Sequence, residues 1–171
     1  MTTTDVLHQY PAWASDGLGD IHFADYYTLT LRNDPQFTVN LLTHRCFSYN
    51  PVWLQWLMHL RNALARMVGW KSATAIESTE KGVYQVGDVL DVFRVLKRDA
   101  DVLVMGEDDR GLNFRILTRV LRDDEAGKLE FRISTLVDLN NSSGRIYFAM
   151  VKPFHHLIMK AVINRLRILS T

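Results

Sequence analysis

The chain has 171 residues, 47% hydrophobic and 11% aromatic, which suits one domain with a sizeable core and excludes a disordered chain. Its 20 basic and 19 acidic residues nearly cancel, which removes the main electrostatic argument for a nucleic-acid partner. A single cysteine, Cys46, excludes an internal disulfide and is typical of a small buried hydrophobe in a reducing compartment.

The first residues lack the basic and apolar regions of a signal peptide. No run approaches the roughly 18 uncharged apolar residues of a membrane span. We therefore expect a cytoplasmic protein without a transmembrane segment. Residues 1–20 have weak periodicity and contain Pro11, Gly17 and Gly19, so we expect a loosely ordered arm before a single domain over residues 21–171.

The next segments change from strand to helix periodicity. Residues 22–32 alternate from Tyr27 onward and predict a half-buried strand. Asp34 followed by proline is a helix start, so residues 35–47 are predicted to be helical. A second helix, with one apolar stripe, is predicted between Asn50 and Gly69.

Period-two alternation then predicts four consecutive strands, at residues 88–97, 101–107, 112–122 and 128–139. The breaks between them are short and polar, which favours antiparallel pairing. In the last strand one face is apolar and the other polar, with Leu136 as the exception. We expect the apolar face to meet a core and the other to meet mostly water.

Residues 143–169 predict a helix of about seven turns. Ser142 and Ser143 are candidate N-caps, and Pro153 is predicted to kink the helix. Its apolar stripe is Tyr147, Met150, Val151, Phe154, Ile158, Ala161 and Val162. The order indicates an α+β fold in which a curved antiparallel sheet wraps around this long helix, with two early helices closing one end. The space between sheet and helix is the candidate ligand pocket.

Four segments together resemble one bacterial family, domain of unknown function 2867, over roughly residues 20–168. They are LRNAL at 60–64, GDVLDVFRVL at 87–96, GEDDRGLNFR at 106–115 and NNSSGRIYFAMVKPFHH at 140–156. The family is assigned to the START-like, or SRPBCC, helix-grip superfamily, so the resemblance implies a helix-grip fold. It implies little about chemistry, because that superfamily includes lipid carriers, hormone receptors, polyketide cyclases and other enzymes.

Some relatives look fused to a short-chain-dehydrogenase-like domain, which suggests a reductase partner. This chain has no GxGxxG motif, and no cofactor is expected. Similar sequences usually read D-R-H-L at the turn where this chain has Gly111 in place of histidine. Any role of that histidine in relatives is therefore missing here.

Two polar groups are candidates for chemistry. Glu107, Asp108 and Asp109 form an acidic turn that either supplies an acid or base at the cavity mouth or simply forms the turn. His155 borders the apolar face of the last helix and His156 is expected opposite it, so the pair should not share a metal ion. His155 either orients a ligand or is a boundary histidine bonded to the sheet.

The leading hypothesis is a protein that binds a small hydrophobic or amphipathic ligand. Its predicted binding residues are Trp53, Phe93, Phe114, Arg115, Phe131, Tyr147, Met150, Phe154 and His155, with no metal ligand. One alternative is an enzyme of the cyclase or hydrolase type that uses His155 or the acidic turn. Another is an accessory module of a reductase.

Overall fold

Among the residues that the computed structural model describes (3–48, 55, 59, 62, 63, 66 and 82–169), six antiparallel strands form one curved sheet. The strands are β1 Phe23–Arg32, β2 Val89–Leu90, β3 Phe93–Arg98, β4 Val102–Asp108, β5 Leu112–Asp123 and β6 Lys128–Leu139. Their spatial order is β1-β6-β5-β4-β3-β2. The predicted antiparallel meander is confirmed, and β1 joins its far end by pairing with β6.

Three helices with both ends among the described residues accompany the sheet: α1 Thr3–Leu7, α2 Val39–Phe47 and α3 Ser142–Leu169. Helix α2 starts four residues later than predicted because Asp34 caps a turn, accepting the Gln36 N–H at 3.0 Å. Thr38 is the helix N-cap, and its Oγ1 accepts the Leu41 N–H at 3.2 Å. The helix predicted between Asn50 and Gly69 lies largely outside the described residues; the five described within it are helical.

The inner face of the sheet, defined as the face that meets α2 and α3, carries the main core. Alternation places Phe131 and Ile133 of β6 on this face, paired with Leu29 and Tyr27 of β1. From α3 the core receives Met159, Val162, Ile163 and Leu166, and from α2 it receives Val39, Leu42 and Cys46. Burial raises the pKa of the Cys46 thiol, so this cysteine is the inert buried hydrophobe that the sequence predicted.

The opposite, outer face is not left to water, contrary to expectation. Residues 3–15 are not a loose arm: they form α1 and a 3-10 turn at Ala12–Ser15, and they pack across this face. The apolar cluster there consists of Val6, Tyr10, Ala14, Val102, Val104, Leu117 and Leu136. Leu136, the exception in the alternation of β6, is therefore buried beneath this arm. The polar residues of β6 on this face do not meet water, because Ser134 bonds to the Tyr10 hydroxyl and Arg132 donates to the Gln9 side chain.

Helix α3 runs unbroken from Ser142 to Leu169 through Pro153. Asn141, and not a serine, is its N-cap: Asn141 Oδ1 accepts the Gly144 N–H at 2.9 Å. The buried face is also rotated from the predicted one, because Met159 and Leu166 are buried whereas Met150 is 37% exposed. Apolar residues occupy more than half of the helix circumference, so the spacing alone does not decide which side meets the sheet.

Among the described residues, one helix is long and apolar enough to cross a membrane by length and composition. This helix is α3, and 22% of its apolar 18-residue stretch is buried. Its inward side shares the main core with the sheet.

A two-residue turn, Asp91-Val92, divides the predicted first meander strand into β2 and β3. Asp91 has a φ of 58°, a conformation that Asp and Asn tolerate better than most residues. Burial raises the pKa of its carboxyl to about 6. The folded state therefore holds the Asp91 proton at pH values where the unfolded chain, with a pKa of about 3.9, has lost it.

Replacing Asp91 with asparagine is expected to stabilise the protein at pH 7 and to flatten its pH dependence. With Asp91 present, the raised folded pKa makes the free energy of unfolding fall as pH rises from about 4 to about 6. An asparagine side chain would suit the same φ and carry no charge. Urea midpoints at pH 4, 6 and 8 measure the effect; parallel pH profiles for the two proteins would contradict it.

Candidate functional site

The site lies where the edge strand β1 passes beneath the middle of α3. Alternation along β1 places Phe23, Asp25 and Tyr27 on the inner face, in line with the core leucines Leu29 and Leu31. Two consecutive histidines of α3 reach the same place. We call Asp25, Tyr27, His155 and His156 the seam cluster.

Asp25 is the centre of the seam cluster. His155 Nε2 lies 3.0 Å from Asp25 Oδ2, and His156 Nδ1 lies 3.7 Å from the same oxygen. Asp25 is 9% exposed, and its other oxygen, Oδ1, is buried without a hydrogen-bond partner among the described residues. A buried carboxylate oxygen without a donor is costly, and such atoms in a folded protein call for an explanation.

Tyr27 completes the cluster through a 2.9 Å hydrogen bond between its hydroxyl and His156 Nδ1. Burial, followed by the negative charge of Asp25 and a side-chain hydrogen bond to Asp25, raises the pKa of Tyr27 to about 12. The phenol therefore keeps its proton throughout the neutral range. It is a neutral partner for His156, and it adds no second negative charge beside Asp25.

An aromatic wall closes one side of the seam cluster. The Phe23 ring lies 5.0 Å from the Phe148 ring and meets His155 and His156 edge-on at 5.9 and 6.0 Å. The Lys152 ammonium lies 5.0 Å from the Phe23 ring centroid. The site thus combines a buried anion, two imidazoles and an apolar surface.

The sequence predicted His155 here but not its three companions. Asp25 points to the same face of β1 as Leu29 and Leu31. An acidic residue at such an inward position is the sequence feature that could have identified it. His156, expected on the far side of the helix, instead contacts Tyr27 and Phe23.

The other predicted binding residues occupy different surroundings. Phe131 and Tyr147 are buried core residues. Phe93 and Phe114 meet edge-on at 5.6 Å on the inner face of the sheet. Met150 is exposed, Phe154 is half-buried, and Trp53 is outside the described residues.

Arg115 was wrongly predicted to line a pocket between sheet and helix. It lies on the outer face, where its guanidinium binds both carboxylate oxygens of Asp108, at 2.6 and 3.2 Å. It also donates to the Asp16 carbonyl at 3.4 Å. Arg115 is 4% exposed, and its position holds the N-terminal arm to the sheet.

The acidic turn has a structural role in the described contacts. Asp109 Oδ1 accepts the Arg110 N–H at 2.6 Å, as expected of a turn-forming aspartate, and Asp108 pairs with Arg115. Glu107 is exposed on the inner-face side of β4. The described partners of Asp108 and Asp109 are not residues of the seam cluster, so the acidic turn and His155 do not form one site.

The turn is fastened to the start of α3 by two asparagines. Asn140 Nδ2 donates to the Asp109 carbonyl at 3.0 Å, and Asn141 Nδ2 donates to the Arg110 carbonyl at 2.9 Å. Two of the segments that carry the family resemblance are therefore parts of one structural unit.

A groove elsewhere in the molecule does not match the predicted pocket. It has a volume of about 330 Å³ and is lined by Val89, Val92, Arg94, Leu96, Gly106, Glu107 and Asp108. It lies at the β2–β4 end of the sheet, away from α3. No group of three His, Cys, Asp or Glu side chains arranged to hold a metal ion occurs in the described part of the chain.

Comparison with known proteins gives a family but no activity. No curated protein matched the chain. Among solved structures, the 1.88 Å crystal structure of hypothetical protein jhp0584 from Helicobacter pylori is similar, with a TM-score of 0.46 and 9% identity over 95% of both chains. The family model described as "Protein of unknown function (DUF2867)" matches residues 17–162. Because that match spans most of the chain, the protein belongs to the DUF2867 family.

Proposed function

We propose that the protein binds a small amphipathic molecule between the sheet and α3, with the polar end of the ligand at the seam cluster. We also propose that its fold is the START-like helix grip, since a curved antiparallel sheet packed on a long C-terminal helix is compatible with that class. The observation that carries the function is Asp25, a buried carboxylate with one oxygen unpaired among the residues described.

The packing of α3 supports this position. Its inward residues are buried near both ends, at Tyr147 and at Met159 to Leu166, but Val151, His155 and Ile158 between them are only partly buried. Well-packed cores bury such positions fully. The middle of the helix therefore packs less closely on the sheet than its ends, and the seam cluster lies at this middle section.

The chemistry of Asp25 restricts the polar end of the ligand. An ionised carboxylate only accepts hydrogen bonds, and His155 already uses Oδ2. A ligand that supplies a donor to Oδ1, such as a hydroxyl or an ammonium group, would satisfy it. A carboxylate on the ligand would meet Asp25 as a like charge.

A matched ligand series tests the proposal. We expect apolar alcohols and amines to raise the melting temperature and the corresponding fatty acids to have little effect. Asp25→Asn should abolish the preference for donor head groups. Asp20→Asn, at an exposed position, is the control and should respond like the parent. Equal responses of the two variants, or equal binding of fatty acids, would refute the assignment of Asp25.

The His155–Asp25 hydrogen bond also favours a second candidate, an enzyme acting on an apolar substrate. A carboxylate that accepts the Nε2 proton orients the imidazole and leaves Nδ1 as the nitrogen that can accept a proton. His155→Gln would then abolish turnover while retaining binding. Partnership with a reductase rests on the family resemblance alone.

A further inference from the structure

The outward side of α3 carries a stripe of exposed apolar side chains. Its exposed members are Ile146 at 60%, Met150 at 37%, Leu157 at 54% and Ile168 at 76%. Spacings of four, seven and eleven residues place them on one side of the helix, along about 33 Å. Most single exposed apolar residues need no explanation, but an aligned series indicates an interaction surface.

The charges of α3 are all of one sign. The helix contains Arg145, Lys152, Lys160, Arg165 and Arg167 and no acidic residue. The remainder of the chain, with 15 basic and 19 acidic residues, is net negative, so the positive charge is concentrated on this helix. Helical geometry places Lys160 and Arg167 along one border of the apolar stripe and Arg165 along the other, and all three are exposed.

From this combination we propose that α3 docks its outward side on an anionic lipid bilayer surface, lying in the plane of the interface. Apolar residues bordered by Lys and Arg are the composition of interfacial helices, in which apolar burial and attraction to anionic lipids act together. A second copy of the chain fits less well, because two such helices face to face would bring like charges together. The inward side of α3 stays packed on the sheet.

The proposal is independent of ligand binding at the seam cluster. Sedimentation with phosphatidylcholine vesicles, with and without phosphatidylglycerol, measures it directly. We expect binding to the anionic vesicles that weakens as the salt concentration is raised from about 50 to about 500 mM. Salt screens the attraction between surface charges, and the Debye length is already as short as about 10 Å in 0.1 M salt. Leu157→Gln should reduce partitioning about tenfold, and Lys160→Glu should reduce it chiefly at low salt.

Two control variants distinguish binding through α3 from nonspecific hydrophobic binding and from ligand binding at the seam cluster. Val86 is 63% exposed and does not belong to α3, so Val86→Gln should bind vesicles like the parent. Asp25→Asn should also bind unchanged, whatever its effect on ligands. Equal binding to neutral vesicles, no loss in Leu157→Gln, or a solution dimer that Leu157→Gln dissociates would overturn the proposal.

Discussion

Replacing Tyr10 with alanine is expected to lower the free energy of unfolding by about 4 kcal/mol. Tyr10 is buried against the outer face of the sheet, and its hydroxyl lies 2.9 Å from Ser134 Oγ and donates to the Leu117 carbonyl at 3.2 Å. Truncation would leave a cavity over Leu117 and Leu136, and it would leave the Leu117 carbonyl and Ser134 Oγ without this hydrogen-bond partner. Urea denaturation of the full chain measures the loss.

The variant Tyr10→Phe separates the two contributions to this loss. It keeps the ring and removes only the hydroxyl, so we expect a cost of about 1–2 kcal/mol. A loosely attached arm would behave differently, because surface substitutions usually change stability by less than about 0.5 kcal/mol. A Tyr10→Ala protein as stable as the parent would therefore disprove the packing of residues 3–15 on the sheet.

The second large effect is expected from Gly144→Ala, which should destabilise the protein by about 3 kcal/mol. A methyl group at position 144 would lie 1.9 Å from the Gly111 carbonyl oxygen and 2.8 Å from its carbon. Both atoms belong to the backbone of the turn that Asn140 and Asn141 fasten to α3, so no side chain can move to relieve the clash. The start of the helix must then shift away from the turn.

The sign of this effect is informative, because alanine in a helix is otherwise about 1 kcal/mol more favourable than glycine. Gly82→Ala is the matched control, since a methyl group there meets no atom within 4 Å. Thermal unfolding should show a drop of roughly 10 °C for the first variant and almost none for the second. A stabilised Gly144→Ala protein would mean that helix and turn are further apart than described.

The same contact clarifies the substitution at position 111. Gly111 is absent from the positive-φ residues, so its backbone conformation does not require glycine. What the packing requires is a small residue at position 144, facing the Gly111 carbonyl.

The strands were predictable to within one or two residues because alternation and polar turns act locally. The predicted strand at 128–139 coincides with β6. The covering of the outer face was not predictable, because residues 3–15 contribute only a few apolar side chains and their partners on the sheet are distant in sequence, as with Tyr10 and Leu117, which are 107 residues apart. Their burial depends on long-range contacts of Tyr10 and Arg115, which no short pattern contains.

The candidate site was predictable only at His155, for a similar reason. That residue was identified from its place beside an apolar stripe, but its partner Asp25 is 130 residues away on β1. The pairing of the two depends on β1 being the edge strand next to β6, a fact of topology. In the sequence the alternation of β1 is clear only from Tyr27 onward, so it does not predict the inward position of Asp25.

The pairing of the first strand with the last also bears on how the chain reaches its native state. Strands β3 to β6 can form as local hairpins, whereas β1 must wait for β6, with Phe23 pairing to Val137. Contacts of such sequence separation slow folding, because the loop-closure entropy is lost before the contacts form. During synthesis the inner face of the sheet stays exposed until α3, which follows all six strands, has been made. We therefore expect the nascent chain to depend on chaperones until α3 has been synthesised.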